Sequence, residues 1–278
     1  MTEREGVLAG APLIYVFSVV RFSPILKLPQ LIPDIHQAIR DRLPGFFQMV
    51  KSTQPGIVQG SEPNSWAFLD RNAEYACVLG MDHLILQSTN YLHFANHLEL
   101  FRECLMALTK QAGGLDVAGI GMRYVDKIEP LDGETLADYL PDTLLPLKCE
   151  VLAEREAKAL LGVSTTTYQL DPEFLHIRCW RQTGMWIPDD LAEPAMVFEI
   201  AKQTRQPSKP FGQQQSAFVP VSENGALLDT DAYWPIPMTE RLGTEEICGR
   251  LDKLHKTANF AFRTVAKDHA FEVWGRSR

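Results

Sequence analysis

The chain lacks the short patterns that usually announce a reaction. GxSxG, HExxH, GxxxxGK[ST] and GxGxxG are all missing. Their absence removes the common signatures of serine hydrolases, zinc proteases, P-loop enzymes and dinucleotide-binding enzymes. Gly119-Ile120-Gly121 comes nearest, but it lies inside a strand pattern and has no third glycine. A glycine in a strand marks a bend or close packing. Cysteine is sparse: Cys77, Cys104, Cys149, Cys179 and Cys248 are widely spaced, odd in number and without a CxxC. That excludes a disulfide-stapled scaffold and points to reduced thiols in a cytoplasmic protein. No cysteine–histidine set has zinc-ligand spacing, and His176 and Cys179 would point to opposite faces of a strand. Positive charge is also short, with 27 Lys and Arg against 35 Asp and Glu, a net charge of −8. Broad nucleic-acid binding needs the opposite field. The longest early apolar run, Ala9 to Val20, is broken by Pro12 and is too short to span a bilayer, so no membrane association is expected.

What is present is a globular pattern, 45% hydrophobic and 22% charged over 278 residues. Its clearest stretch runs from Asp82 to Glu129. His83 to His93 alternates as a strand should, with Leu84, Leu86, Ser88 and Asn90 on one side. Asn96 and Glu99 have capping-box spacing. Leu98, Phe101, Leu105, Leu108 and Ala112 then form a helical stripe, which Gly113-Gly114 ends. Val117 to Ile128 returns as a strand. Upstream, Leu13 to Phe22 is a strand, and a helix carries Leu31, Ile35, Ile39 and Leu43, with Pro33 in its first turn and Pro44-Gly45 closing it. Ser52 to Ser65 reads as an exposed loop. Trp66 to Leu69 and Tyr75 to Leu79 are strands that, with the next, make an antiparallel meander.

Residues 1–130 therefore read as a β-α-β-β-β-α-β half, 131–147 as a connecting segment, and 148–278 as a strand-rich half ending in a long helix. In that second half Glu150 to Leu161 has helical propensity. Val163 to Leu170, Phe174 to Gln182, Ala195 to Thr204 and Ala226 to Trp234 read as strands. Pro235 to Gly243 is a break, and Thr244 to Val265 is a helix. A tail ending at Trp274 can pack back on the body. The expected fold class is α+β, with two antiparallel sheets, each covered by helices, in a pseudo-duplicated order.

Candidate chemistry is limited to charged side chains that share a strand face. Gly121, Arg123, Val125 and Lys127 lie on one face, and Arg21 joins them if its strand is a neighbour. Such cations could receive an anionic ligand, or could pair with internal carboxylates. Asp229 and Asp231 also share a face and could hold a ligand or do acid–base work, or simply meet water and neighbours. His255 lies beside an apolar helical stripe and reads as a packed or hydrogen-bonded core histidine. His93 and His97 straddle a strand-to-helix switch that spoils them as a ligand pair. Trp180, Trp186 and Trp234 would mark a protein-binding surface if exposed. No residue is assigned a catalytic or metal-binding role, and no cofactor is expected.

Three segments carry a resemblance: Ala11-Pro12-Leu13-Ile14-Tyr15-Val16 running into Val20-Arg21-Phe22-Ser23-Pro24-Ile25; Gly119 to Ile128 (GIGMRYVDKI); and Leu227-Leu228-Asp229-Thr230-Asp231 with Leu254-His255-Lys256-Thr257-Ala258-Asn259 and Phe262. In order and spacing the chain resembles a sporadically distributed bacterial family of uncharacterised proteins of about this length. Asp126 stands where the family pattern has asparagine, and Thr230 where it has a bulky aliphatic residue. The resemblance implies a bacterial cytosolic protein from accessory gene neighbourhoods and attaches no chemistry to it. The sequence reading is a soluble, non-catalytic interaction or ligand-binding protein with a protein partner, for which a homodimer is one form. The resemblance alone adds an accessory subunit of a defence, toxin–antitoxin or modification system. The alternative is an enzyme with an anion site at Arg123 beside Asp229 and Asp231.

Overall fold

A computed structural model describes residues 8, 10–49, 65–145, 154–155, 160–205 and 217–275. The strands are β1 (Leu13–Phe22), β2 (Gly45–Met49), β3 (Ser65–Leu69), β4 (Tyr75–Gly80), β5 (His83–Ser88), β6 (Leu115–Ile128), β7 (Leu161–Gln169), β8 (Phe174–Gln182) and β9 (Ala226–Leu242). The helices are α1 (Leu28–Ile39), α2 (Phe94–Ala112), α3 (Leu136–Tyr139), α4 (Asp189–Arg205), α5 (Thr244–Val265) and α6 (Asp268–Gly275), with a 3₁₀ turn at Asp142–Leu144. All nine strands form one antiparallel sheet in the order β2-β3-β4-β5-β1-β6-β9-β8-β7. The α+β class holds, but the sheet is single rather than one per half. The reason is the β6–β9 pairing, which runs from Leu115↔Leu242 to Ile128↔Ala226 and joins the two stretches of chain edge to edge.

Period-two alternation gives the sheet two buried faces. Val16, Val20, Leu84, Leu86, Ile120, Met122 and Leu228 point to one, where α1, α2 and α5 cover them. Tyr15, Val19, Val78, Ile85, Val125 and Leu227 point to the other, where the core is completed by Leu191, Ala195 and Phe198 of α4. Strand β1, buried on both sides, reads as the near-continuous apolar run such a strand requires.

Several boundaries differ from the sequence reading for identifiable reasons. Helix α1 starts at Leu28 because Pro29 takes the first-turn position, leaving Pro33 one turn inside. Strand β2, pairing Gly45↔Leu69 at the sheet edge, was not expected after Pro44. Strand β5 stops at Ser88, whose hydroxyl accepts the Asn90 N–H at 3.1 Å and turns the chain away. Helix α2 begins at Phe94 with His93 as an extended N-cap, so Asn96 and Glu99 are interior and form no cap. Its end agrees with expectation: Gly113, at φ +75°, donates its N–H to the Thr109 carbonyl at 3.0 Å.

The largest correction is Ala195 to Thr204, which is helical. Leu191, Ala195, Phe198 and Ala201 repeat at helical steps and are buried, and Asp189-Asp190 in the first turn suits the positive helix end. The expected break at Pro235 to Gly243 is a bulge inside β9. Partners jump from Gly119↔Pro235 to Val117↔Glu240, so Pro235 is the last paired residue before the bulge and Pro237 falls within it while the strand continues. Thr244–Val265 is helical as expected. The tail does fold back, as α6: Trp274 stacks on Phe262 at 5.6 Å, and its carbonyl accepts the Gly10 N–H at 2.8 Å. The expected loop at 52–64 and most of the expected helix from Glu150 lie outside the described residues, as does Cys149. Cys77, Cys104, Cys179 and Cys248 are free and buried. Among the described residues no helix is long and apolar enough to cross a membrane.

Candidate functional site

The sheet register brings Arg123, Asp229 and Asp231 together. Arg123 lies directly opposite Asp231, and Asp229 is its diagonal neighbour opposite Val125. The Arg123 side chain is buried and donates Nε to Asp229 Oδ1 at 2.7 Å and Nη2 to Asp229 Oδ2 at 2.8 Å. Its far side meets Asp190 of α4, with Nη1 donating to Oδ2 at 2.6 Å and Nη2 to Oδ1 at 3.0 Å. Arg178 of β8 completes the cluster, with Nη2 donating to Asp231 Oδ2 at 2.7 Å and Nε 2.9 Å from Asp229 Oδ2. Four of the five guanidinium N–H groups of Arg123 are therefore used, and an incoming anion would have to displace a carboxylate. Burial tends to raise Asp190, but the Arg123 bonds outweigh it and hold the carboxyl below its ordinary value. Burial pushes Asp231 up in spite of Arg123.

The other two sequence candidates stand apart. Arg21 is exposed and in register with Gly119 and His83, four residues along β1 from Phe17, the Arg123 partner. Lys127 lies 3.5 Å from Glu129. Trp180, Trp186 and Trp234 are half-buried; Trp234 carries Arg250 over its ring at 4.8 Å. Gly121 has its expected packing role: a Cβ there would meet Val19 Cγ1 at 3.0 Å and Tyr233 Cδ2 at 3.4 Å.

The opposite face holds a cavity of about 570 Å³. Its floor is Tyr124 and Asp126 of β6, and one wall is the face of α5 that carries His255, Ala258, Asn259, Phe262 and Arg263. The other walls are the β5–α2 connection, Asn90 to Phe94, and the segment entering β1, Ala11 to Leu13, with Leu8. The α5 contributors recur at steps of three and four, so one helical face supplies them all. Tyr124 Oη is 2.6 Å from His255 Nδ1 and 3.4 Å from Tyr91 Oη. Phe94 stacks flat on the His255 ring at 3.9 Å. Burial lowers the His255 pKa to about 4, so the imidazole is neutral at physiological pH. It also pushes the Tyr91 phenol up to about 12.

Asp126 is the unusual member. It is 3% exposed, it opens on the cavity, and among the described residues its carboxyl has no hydrogen-bond or ion-pair partner. Burial, with the Asp229 charge across the sheet as a second cause, holds its pKa well above the usual carboxylate range. Buried carboxyls are ordinarily paired. The signal was in the sequence: alternation places Asp126 on the same inward face as Met122, Tyr124 and Ile128. His255, expected as a packed or hydrogen-bonded core histidine, is both, and it also lines the cavity. Among the described residues no group of three or more His, Cys, Asp or Glu is arranged to hold a metal ion. No protein-family model and no curated protein matches the chain.

Proposed function

We propose that the chain is a non-catalytic ligand-binding protein whose ligand occupies the cavity over Tyr124 and Asp126. The observation that carries this reading is a buried, unpartnered carboxyl facing a cavity of about 570 Å³ with aromatic walls. That volume falls in the range of small-molecule sites, which are mostly apolar with a few convergent polar groups. Tyr124, His255 and Phe94 brace one another, so the site is largely preformed and little ordering opposes binding. The enzyme alternative has less support, because Asp229 and Asp190 occupy Arg123 and Arg178 pairs with Asp231, so no anion site is presented.

A protein partner is a second reading, favoured by the edge strand β7. Its nine residues, LGVSTTTYQ, carry no charge and expose Leu161, Val163 and Tyr168. Edges of this kind invite strand addition, including by a second copy, because charge is the usual protection. A bacterial, cytoplasmic accessory role is supported by the family resemblance. The test of the ligand reading is a fragment screen by NMR on the labelled protein. Amide shifts should cluster at residues 90–94, 124–126 and 255–263. Shifts confined to other surfaces would overturn it.

A further inference from the structure

We propose that the ligand carries a cationic nitrogen, an ammonium or amidinium on an apolar body, and that Asp126 is its counter-ion. This rests on the cavity reading above. The chemistry facing Asp126 is unbalanced in one direction. Its register neighbours, Leu13 on β1 and Leu228 on β9, are apolar, as is Ile128 two residues on. Tyr124 and His255 bond each other at 2.6 Å, and neither bonds Asp126. Arg263, the one lysine or arginine on the cavity wall, donates Nε to Asn259 Oδ1 at 3.2 Å. Among the described residues Asp126 is thus the buried polar group of the cavity left without a partner, and it accepts when ionised. A cation supplies the donor and the charge together, in a low-dielectric site where such a pair is strong. The walls agree, since Tyr91, Phe94 and Phe262 line the cavity and aromatic rings attract cations. A neutral His255 adds no repulsion. An anion would meet the acid and phenol edges with Arg263 as its single positive neighbour.

Binding then has a proton balance. At any pH below the raised Asp126 pKa the empty site holds this residue as the carboxylic acid. A protonated amine or amidine enters, the Asp126 O–H bond breaks, a carboxylate–cation pair forms, and one proton passes to the buffer.

The test uses the full chain with benzamidine and benzylamine as probes and benzyl alcohol as the neutral isostere. Titration calorimetry at mildly acidic pH, in two buffers of different ionisation enthalpy, reports affinity and protons released. The cations should bind at least tenfold more tightly than the alcohol and, at a pH below the Asp126 pKa, release protons that the alcohol does not. Asp126→Asn should abolish the preference while retaining the alcohol, which shows that the variant cavity is intact. Amide shifts of the unaltered protein give the same comparison without any substitution. Equal affinity for alcohol and cations overturns the charge assignment and leaves the cavity reading standing. Absence of shifts from all three probes at the cavity residues overturns both.

Discussion

Replacing Arg123 by Met keeps the apolar stem and removes the guanidinium from the centre of the ion cluster. Asp229, fully buried, loses two hydrogen bonds and keeps the ion-pair contact with Arg178 Nε at 2.9 Å. Asp190 also loses two, but its side chain is 54% exposed, so water replaces them at little cost. The penalty is therefore that of stranding one buried carboxylate, about 3–5 kcal/mol. Against a total stability of about 5–15 kcal/mol, this is a large fraction. With a urea slope of about 2 kcal/mol/M the midpoint falls by about 2 M. Adding Asp229→Asn to Arg123→Met removes the stranded charge and should recover much of the loss. Equilibrium urea unfolding followed by circular dichroism measures both. A midpoint shift for Arg123→Met below about 0.3 M, or no recovery in the double variant, would refute the claim that the cluster is internally balanced.

Two further outcomes are expected. Asp126→Asn should change the pH dependence of stability. Below the ordinary aspartate value of 3.8 the carboxyl is protonated in both states and has no effect. Above it the unfolded chain releases its proton while the folded one keeps it. The parent protein then loses about 1.4 kcal/mol per pH unit, until the folded carboxyl ionises. The Asn variant lacks this slope, so its advantage in urea unfolding should widen from pH 4 upward; a constant gap would contradict the assignment. Gly113→Ala forces a Cβ into the left-handed region at φ +75°, with no atom within 4 Å to clash, so the cost is backbone alone. About 1 kcal/mol, or about 2–4 °C in melting temperature, is expected, with Gly113→Asn closer to the parent.

Local physics was legible where several signals agreed. Leu13–Phe22, Phe174–Gln182 and Thr244–Val265 have the bounds that their periodicity and flanking breakers indicate. The glycine stop of α2 was equally plain. What failed depended on tertiary partners. Short β-branched runs suit either element, and α4 is helical because Leu191, Ala195 and Phe198 must cover Tyr15 and its neighbours. Prolines read as terminators, yet β9 continues through Pro235, which is paired with Gly119, and through a bulge that holds Pro237. The joining of β6 to β9, which makes one sheet of two expected ones, has no local signature. For the site, alternation placed Arg123, Asp229 and Asp231 on shared faces. Asp190 and Arg178, which turn them into a closed cluster, come from elements whose docking the sequence does not state. Asp126 was visible as an acid on an inward face, but its cavity depends on α5 lying across β6.

The most direct measurement is the protonation state of Asp126 itself. Selective ¹³C labelling of aspartate, with the Asp126 carboxyl signal assigned through Asp126→Asn, gives its titration in the empty protein and with benzamidine present. In the empty protein the inflection should lie well above 3.8, and benzamidine should drive the signal to the ionised position. An inflection at or below 3.8 without any ligand would mean that the carboxyl already has a partner, and the cavity would lose the group on which its proposed function depends.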